Sequence, residues 1–369
     1  MADRNLPRAE VVVDLGAIRH NVALLAARAS GAATMAVVKA DGYGHGAVPV
    51  ARAALEAGAT WLGVCSLGEA LALRDAGIDA PVLSWLDTID TDLAPGVAAG
   101  VDLSASSTRE LGAIVEGARA AGRTARVHLK IDTGLSRNGC PPQEWSALVS
   151  AATAAPEVEL VAVWSHLACA DEPGHPSVDL QARRFREACD AVPGRPLRHL
   201  ANSAATLDRP DLHLDLVRVG IAMYGLNPLP YPADLRPAMA FRSSVALTKR
   251  IAAGESVSYG RTWTADRDTT LALVPAGYAD GVPRLLSGRM DVLLAGRRRP
   301  VVGRVCMDQI VVDCGDDRVP VGDEVVLFGD GTRGEPTATE WANTIGTIDY
   351  EIVTGMYRPR VVRTYRDAR

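Results

Sequence analysis

Lys39 stands at the end of an apolar run and is followed by a glycine-rich turn. Residues 35–38 are predicted to form a buried strand that ends at this lysine. Three glycines follow at every second position: Gly42, Gly44 and Gly46. Glycine at this density permits positive φ angles and a close approach of the backbone to a ligand. The helical pattern at residues 47–57 begins there, and a helix start favours an anion such as a phosphate.

A lysine beside a phosphate site at a strand end indicates a Schiff base to pyridoxal phosphate (PLP). A lysine that only extends from a strand end into solvent fits the same spacing. No nucleotide-binding G-x-x-x-x-G-K-[ST] pattern is present to decide between the two. The spacing around Lys39 therefore leaves both interpretations open.

Other residues capable of acid–base or binding chemistry also follow apolar runs. They are Tyr43, Lys130, Asp132, Arg137, His166, Asn202, Ser203, Arg218 and Gly220. Arg218 is the most informative, because an arginine inside the apolar run at 216–219 is costly to bury without a partner. An ion pair with Asp215 or another carboxylate would satisfy it, and so would a bound ligand. A single polar residue at a strand end often only caps or solvates that end, so the prediction depends on their convergence.

Eight apolar runs alternate with helical segments from residue 10 to about 225 and predict a (β/α)8 barrel. The predicted strands cover residues 34–38, 61–64, 81–85, 101–103, 126–131, 160–164, 197–200 and 216–219. An open doubly wound sheet usually has fewer strands, and the early G-x-G-x-x-G fingerprint of such sheets is absent. In a barrel the carboxyl ends of the strands meet on one face, so the residues named above are expected to meet there.

A proline cluster at residues 228–237 precedes a mostly β region, so we predict two domains, 1–235 and 236–369. The predicted strands of the second domain cover residues 244–247, 270–274, 291–294, 301–305, 310–312, 324–328 and 361–364. One helix is predicted at 341–345, after the capping-box pattern that begins at Thr337. The opening run at 9–13 could pair in either domain. The basic run at 297–299 is predicted to be a solvated turn.

The composition is that of an ordinary globular protein, with 48% hydrophobic residues and a formal net charge of −5. Without a basic stripe, nucleic acid is not an expected partner. No apolar run reaches the length of a membrane span, and residues 1–10 lack the apolar core of a signal peptide. We therefore expect a cytoplasmic protein. The six cysteines include no C-x-x-C pair, so we expect free thiols and no metal site.

The stretch at residues 37–46, Val-Val-Lys-Ala-Asp-Gly-Tyr-Gly-His-Gly, resembles the PLP-attachment motif of alanine racemases. The resemblance extends over residues 9–363, with no departure at the positions expected to be catalytic. It implies that PLP is bound covalently by Lys39 and that the protein interconverts L-alanine and D-alanine. It also implies a role in supplying D-alanine for cell-wall peptidoglycan.

The resemblance assigns roles to the barrel residues. It implies that Arg218 donates to the pyridine nitrogen of PLP, and that His166 bonds Arg218 and the catalytic tyrosine. Lys130 lies in a segment whose lysine is carbamylated in the family, and a carbamate would orient Arg137 toward the substrate carboxylate and the cofactor O3′. The other implied cofactor contacts are Tyr43, Asn202, Ser203, Gly220, Ile221 and Tyr357.

The resemblance places the rest of the site in the β region. Tyr259 is the implied second base, which the partner subunit supplies, so a homodimer with shared active sites follows. Lys39 would act on D-alanine and Tyr259 on L-alanine. The main-chain N–H of Met307 would bind the substrate carboxylate. Tyr278 and Asp171 match residues of the active-site entrance.

Three other functions stay open at this point. A racemase of broader amino-acid specificity would use the same residues. A PLP-carrying barrel protein that only binds would share the lysine, although the added β domain and Tyr259 argue against it. A decarboxylase of the same barrel class would carry a cysteine motif in the β domain, which we do not find.

Overall fold

The computed structural model describes residues 7–367, and these divide into two compact units. One unit spans Ile18–Leu235, and the other combines the segment that ends at Ala17 with the segment that begins at Arg236. The first six residues, which carry part of the signal-peptide argument, lie outside the described range. None of the helices in the described part of the chain has the length and apolar character needed to cross a membrane.

The first unit is built on eight parallel strands. After β1 (Glu10–Asp14) they are β2 (Ala33–Val37), β3 (Trp61–Val64), β4 (Val82–Ser84), β5 (Asp102–Ala105), β6 (Ala125–Lys130), β7 (Val158–Trp164), β8 (Leu197–His199) and β9 (Leu216–Val219). Each of β2 to β8 pairs with the next, and β9 pairs with β2. The last gap is bridged where Asp215 N–H donates to Arg198 O at 3.1 Å and Arg218 N–H donates to Ala201 O at 2.9 Å. The sheet is therefore a nearly closed barrel, which confirms the predicted fold class.

Helices connect the strands of the barrel. They are Leu15–Arg28, Ala47–Glu56, Leu67–Asp75, Ala94–Ala98, Thr108–Ala121, Trp145–Ala154, Pro176–Asp190 and Ser203–Asp208, with 3₁₀ turns at Pro142–Glu144, Pro210–Leu212 and Ile221–Tyr224. Helix Thr108–Ala121 shows why they form, because its apolar residues recur at helical spacing and the buried ones line one face. Ser107 caps its start and Gly122, at φ 61°, ends it.

Apolar side chains fill the barrel near its strands, as expected of a parallel sheet that is covered on both faces. Met35, Leu83 and Leu216 form one fully buried cluster, and the half-buried Trp61 and Trp85 pack against it. This cluster forms part of the apolar core around the barrel strands.

A left-handed turn at Lys39–Tyr43 follows β2 after a single residue. Gly42 has φ 63°, but Ala40, Asp41 and Tyr43 also have positive φ angles, between 51° and 52°. The left-handed conformation costs about 1–2 kcal/mol for each residue that carries a Cβ. The positive φ angles predicted for the three glycines of this segment are confirmed, whereas those of the three other residues were not predicted.

Two carboxylates support this turn. Glu69 Oε1 accepts a hydrogen bond from Ala40 N–H at 2.7 Å, and Asp41 Oδ1 accepts one from Ala47 N–H at 2.8 Å. Ala47 is the first residue of its helix, so an internal carboxylate already occupies the helix start. One N–H of the helix start is thus already satisfied by Asp41, and the binding of a phosphate there stays a prediction.

The second unit is mostly β. Its further strands are β10 (Met239–Ser244), β11 (Leu247–Ile251), β12 (Ser256–Val257), β13 (Trp263–Thr264), β14 (Thr269–Val274), β15 (Asp291–Leu294), β16 (Arg297–Pro300), β17 (Ile310–Asp313), β18 (Glu324–Phe328) and β19 (Val362–Arg366). They form a six-stranded sheet in the order β16-β15-β18-β10-β1-β19, a three-stranded sheet β11-β14-β17 and the pair β12-β13. Strand β1, whose partners the sequence left open, pairs with β10 and β19.

Short helices and 3₁₀ turns complete this unit, at Ala338–Ile345, Asp349–Thr354, Tyr259–Arg261, Tyr278–Asp280 and Arg284–Leu286. The predicted cap is confirmed, since the Thr337 side chain accepts from Glu340 N–H. Strands β14, β15, β17, β18 and β19 match their predicted positions within two residues.

Three predictions for this unit are wrong. Residues 244–247 span the break between β10 and β11, because Val245 N–H bonds to Asp323 and Ala246 N–H bonds to Leu273 as the chain passes between sheets. Residues 301–305 form a loop with one isolated bridge at Val301. The basic run at 297–299 belongs to strand β16. Arg299 of this run is buried, and its guanidinium is satisfied there by hydrogen bonds to two main-chain carbonyls and a carboxylate.

We predict that Glu69→Ala lowers the free energy of unfolding by about 2–3 kcal/mol, because it removes the carboxylate half of a capping box and charged hydrogen bonds to Ala40 and Cys65. Glu110→Ala is the matched control, since Glu110 caps its helix in the same way but does not contact the turn. We expect about 1 kcal/mol for the control. Urea unfolding followed by circular dichroism measures both, and equal losses would show that Glu69 does not support the turn.

Candidate active site

Several of the predicted barrel residues meet at the carboxyl ends of the strands. Arg218, inside β9, donates from Nη2 to His166 Nδ1 at 3.2 Å. Lys130 ends β6, and its Nζ lies 4.2 Å from the centre of a Trp164 ring. The Arg218 guanidinium lies 4.9 Å from the same indole. Trp164 therefore brings Lys130, His166 and Arg218 into one cluster.

Arg218 is buried but contacts no carboxylate among the described residues. Its Nη1 donates to His199 O and Nδ1 at 3.0 and 3.1 Å, and its Nη2 also reaches Ser165 O at 2.7 Å and Leu200 O at 3.2 Å. Asp215 bonds Arg198 instead, so the ion pair considered from the sequence is absent. Burial lowers the pKa of Arg218 to about 9, so the guanidinium keeps its proton at neutral pH.

The Nε of Arg218 differs from its other two nitrogens. No residue in the described range accepts a hydrogen bond from it, although both terminal nitrogens are fully engaged. A guanidinium presents five N–H donors in a rigid fork, so fixing the two ends also fixes the direction of Nε–H. One charged donor is thus left for a ligand.

Lys39 lies beside aromatic rings on the same barrel. It is half-buried, and its Nζ lies 5.9 Å from the ring centres of Tyr43 and Trp85. Burial raises the pKa of Tyr43 above its ordinary value, so the phenol stays a hydrogen-bond donor. A Cβ on Gly220 would lie 2.7 Å from the Tyr43 hydroxyl, so a glycine is needed for this approach.

Ser203 connects the same region to helix Ser203–Asp208. Its Oγ accepts hydrogen bonds from Gly220 N–H at 2.8 Å and from Ala222 N–H at 3.3 Å. The Asn202 side chain caps the helix by accepting from Ala205 N–H, so the predicted cofactor contact of Asn202 competes with a structural bond. Tyr43, Ser203 and the main chain at Gly220 and Ala222, with Ile221 between these two in sequence, form a polar cradle of neutral groups.

Lys130 is buried against positive charge. Burial, and then the nearby Arg218 and Arg137, lower its pKa to about 7. A substantial fraction of Lys130 is therefore a neutral amine at neutral pH, unlike an ordinary lysine. The neutral amine is the form that reacts with electrophiles.

Asp132 shapes the loop that carries Arg137. Its Oδ1 accepts from the main-chain N–H groups of Gly134, Leu135 and Ser136, at 2.9 to 3.2 Å. Arg137 itself is exposed. The loop is thus fixed by its own carboxylate, while the arginine extends from it.

His166 is held neutral. Burial, followed by the positive charges of Arg218, Arg137, Lys130 and Lys39, holds its pKa well below the ordinary value. Because Nδ1 accepts from Arg218, the proton of the neutral ring lies on Nε2. His166 therefore offers one further N–H donor.

The predicted residues of the second unit lie on exposed loops. The exposed fractions are 72% for Tyr259, 63% for Tyr357, 52% for Met307 and 39% for Tyr278. The loops of Tyr278 and Met307 are joined where Ala279 N–H donates to Met307 O at 3.0 Å. Large apolar side chains exposed on adjoining loops are typical of a binding or subunit interface.

Glycines and one carboxylate hold these loops together. A Cβ on Gly277 would overlap the Met307 carbonyl, and one on Gly281 would overlap Met356 beside Tyr357. Asp280 is fully buried and accepts from Gly277 N–H at 3.0 Å while it pairs with Arg8. The loops of Tyr278, Met307 and Tyr357 are thereby in contact with one another.

Asp171 is the predicted site residue with the least structural support. It lies on the loop after β7, is exposed, and bonds none of the described site residues. Sequence reasoning also missed residues that contact the site, namely Glu69, Trp164 and His199. Glu69 could have been found from its S-x-x-E capping pattern. Trp164 and His199 lie in predicted strands, where each resembles an ordinary core residue.

Comparisons with known proteins identify the family. One family model, alanine racemase N-terminal domain, matches residues 13–228, and another, alanine racemase C-terminal domain, matches residues 238–365. The alanine racemase of Salinispora arenicola is 57% identical over 366 residues, which are 97% of this chain and 98% of the relative. That of Mycobacterium avium is 54% identical over 371 residues, 98% and 95% of the two chains.

Solved structures agree with these relatives. The crystal structure of alanine racemase from Streptomyces lavendulae matches with a TM-score of 0.95 and 51% identity, covering 99% of this chain and 98% of the other. The alanine racemase of Bartonella henselae, described with covalently bound pyridoxal phosphate, matches with a TM-score of 0.89 and 29% identity over 97% and 99% of the two chains.

We predict that Lys130 reacts with acetic anhydride with a half-maximal rate near pH 7, because its neutral form prevails above that pH. The chain contains three lysines, and the exposed Lys249 supplies the reference rate in the same sample. Peptide mass spectrometry after brief labelling in CO₂-free buffer measures the ratio. A Lys130 rate that keeps rising with pH to about 10, as for an ordinary lysine, would contradict the lowered pKa.

Proposed function

The chain belongs to the alanine racemase family, and on this premise we propose that it binds PLP at Lys39 and works as a homodimer with two catalytic bases. The protein is a racemase that interconverts L-alanine and D-alanine. The observation that carries the proposal is the geometry of Arg218, whose Nε–H is left without a protein partner while both terminal nitrogens are fixed.

The residues of the barrel fit the proposed cofactor. Arg218 Nε–H suits a pyridine nitrogen, and the cradle of Tyr43, Ser203, Gly220 and Ile221 suits a phosphate. A side chain at Gly220 would fill the cradle. Tyr357 would add a contact from its exposed loop. PLP, when bound, supplies an electron-withdrawing ring that stabilises the negative charge left when the α-proton departs.

Two bases act on opposite faces of the substrate in this proposal. Lys39 moves the α-proton on the D-alanine side, and Tyr259 of the partner subunit moves it on the L-alanine side. One base removes a proton while the other returns one, so the configuration inverts without rotation of the substrate. The second face needs a base from outside the barrel, and Tyr259, with 72% of its surface exposed, is available to a partner.

Arg218 and His166 adjust these groups. Arg218 keeps its proton, so it donates to the ring nitrogen and does not transfer a proton to it. By leaving this nitrogen without a proton, Arg218 would limit side reactions at the α-carbon. His166 is neutral with its remaining proton on Nε2, and it would donate this proton in a hydrogen bond to the oxygen of Tyr259 of the partner subunit.

Arg137, Lys130 and Met307 bind the substrate carboxylate in the proposal. A carbamate on Lys130 requires a neutral amine, which its lowered pKa provides. The modification replaces a cation with an anion, and a bidentate pair then directs Arg137 toward the carboxylate. The main-chain N–H of Met307 would complete the contact. Tyr278 and Asp171 would line the entrance.

We further infer a cytoplasmic enzyme that supplies D-alanine for peptidoglycan. The dimer is supported by four exposed residues on the loops of the second unit, Tyr259, Tyr278, Met307 and Tyr357. A site that draws residues from two subunits requires the same surface on both copies, as a two-fold homodimer provides.

The cofactor assignment predicts that borohydride fixes PLP to Lys39. The chain has three lysines, so a digest resolves Lys39, Lys130 and Lys249 in one experiment. We expect the mass of reduced PLP on Lys39 and none on Lys249, which serves as the exposed control. Labelling of either other lysine in its place would show that the assignment is wrong.

The shared site predicts activity from a mixture of two inactive variants. Tyr259→Phe should keep PLP but lose about 10²–10⁴-fold of the activity, the usual contribution of an acid–base group. Lys39→Ala should lose both PLP binding and activity. In a mixed dimer, one site combines Lys39 of the first variant with Tyr259 of the second and is complete. Its activity should reach about half that of the wild-type dimer.

Chiral chromatography of both alanine enantiomers measures this recovery, with serine and lysine as substrate controls. Tyr365→Phe is the matched control, because Tyr365 is an exposed tyrosine of the same unit outside the proposed site. It should leave the activity unchanged. If subunit exchange is demonstrated by mass spectrometry and activity does not return, the two bases do not come from different subunits.

A further inference from the structure

A chain of buried side chains extends from Arg218 into the barrel. Arg218 Nη1 bonds His199 Nδ1 at 3.1 Å, and His199 Nε2 bonds His128 Nδ1 at 3.0 Å. His128 Nε2 in turn bonds Asp102 Oδ2 at 3.0 Å. These residues lie on four different strands, β9, β8, β6 and β5. His199 contacts the site through Arg218, whereas His128 and Asp102 lie beyond the site described above.

The four side chains that form this hydrogen-bonded chain are almost completely buried. The exposed fractions are 1% for Asp102, 0% for His128 and His199, and 5% for Arg218. Trp164 stacks on His199 with 5.6 Å between ring centres and 3° between planes. A low-dielectric environment strengthens hydrogen bonds and makes an unmatched donor costly. Every contact in the chain must therefore join a donor to an acceptor.

This requirement fixes the direction of all three bonds. Arg218 can only donate, so His199 Nδ1 is the acceptor and the His199 proton lies on Nε2. His199 then donates to His128 Nδ1, and the His128 proton also lies on Nε2. His128 donates to Asp102, which as a carboxylate can only accept. Both histidines are neutral, in agreement with the pKa of His199, which burial holds well below its ordinary value.

Arg126 binds Asp102 at the end of the hydrogen-bonded chain opposite Arg218. Its Nε lies 2.7 Å from Asp102 Oδ1, and 37% of its side chain is exposed. Asp102 begins β5 and Arg126 is the second residue of β6, so this end lies toward the amino ends of the strands. The chain thus connects the opposite side of the barrel with the guanidinium at the site.

We propose that Asp102 and His128 are positioning residues for Arg218, because an acceptor at the far end of the chain makes His199 Nδ1 an acceptor. This inference rests on the proposed function only for the identity of the group that Arg218 Nε–H would contact, which is the ring nitrogen of PLP. With Nη1 held on His199, the rigid fork also limits the direction of Nε–H, the donor that would bond the ring nitrogen.

Asp102→Asn tests this proposal. An amide can donate as well as accept, so His128 could reverse its tautomer and donate toward His199. His199 would then carry its proton on Nδ1 and face the N–H of Arg218 with another donor. The guanidinium would lose this partner, and Nη1 would then be held only by the main-chain oxygen of His199, so the direction of the fork would be less well fixed.

Arg126→Gln is the matched control for Asp102→Asn. Both substitutions remove the ion pair between Arg126 and Asp102, but only Asp102→Asn replaces a group that can only accept with one that can also donate. His128→Leu is a second test, because it breaks the chain and leaves Asp102 paired with Arg126. Circular dichroism and thermal unfolding will show whether Asp102→Asn folds. If it does not fold, His128→Leu provides the test in its place.

The first readout is the histidine tautomer in the protein as purified. With ¹⁵N-labelled histidine, wild type and Arg126→Gln should show unprotonated Nδ1 and protonated Nε2 at both His128 and His199. Asp102→Asn should change these shifts toward a mixture, and His128→Leu should do so at His199. Unchanged His199 shifts in a folded variant would overturn the proposal. This readout does not require PLP, so it is independent of the proposed function.

The second readout is the affinity for added PLP after its removal. We expect binding about tenfold weaker in Asp102→Asn and His128→Leu, the size expected from losing a hydrogen bond to a charged group, and within about twofold of wild type in Arg126→Gln. Altered tautomers with unchanged affinity would show that the chain does not position Arg218. Wild type that binds no PLP would instead contradict the proposed function, while the tautomer result would still stand.

Discussion

A guanidinium without an adjacent carboxylate is the constraint on which this barrel depends. Burying a charge is tolerated only if it is fully hydrogen-bonded, and Arg218 meets this condition with main-chain oxygens of Ser165, His199 and Leu200. These oxygens lie at the ends of β7 and β8, beside the edge where the sheet lacks a continuous ladder with β9. One side chain therefore links β9 to the ends of β7 and β8 and also presents a donor to the site, so a substitution at this position changes both structure and chemistry.

The left-handed turn after β2 likewise affects both the stability of the fold and the geometry of the site. Ala40, Asp41 and Tyr43 adopt a conformation that side chains disfavour, and local strain of this kind persists only where the surroundings impose it. Glu69 supplies that support from the next capping box. The result is a lysine and a tyrosine placed close together, with Nζ of Lys39 5.9 Å from the Tyr43 ring.

The sequence patterns predicted those features that depend on residues close together in the sequence. The eight barrel strands were found because parallel strands are apolar on both faces, and Arg218 because an arginine in such a run needs a partner. Contacts between residues far apart in sequence are not predictable from local patterns. For this reason the sequence leaves the sheet of β1 open and predicts a solvated position for Arg299, which is buried. Asp102, His128 and His199 each resemble a core residue, and only barrel closure brings them together. Tyr259 and Met307 came from family resemblance, since their exposed loops carry no periodic signal.

Strand β1 is synthesised long before the strands with which it pairs. This strand ends at Asp14, while its neighbours β10 and β19 begin at Met239 and Val362, so all eight barrel strands are synthesised in between. At about 5–20 residues per second, β1 waits roughly 10–45 seconds for its first partner. During that interval an apolar segment, Val11-Val12-Val13, has no sheet to join and is open to chaperones or to another nascent chain. The barrel can fold while it is made, whereas the β unit must wait until the chain is nearly complete.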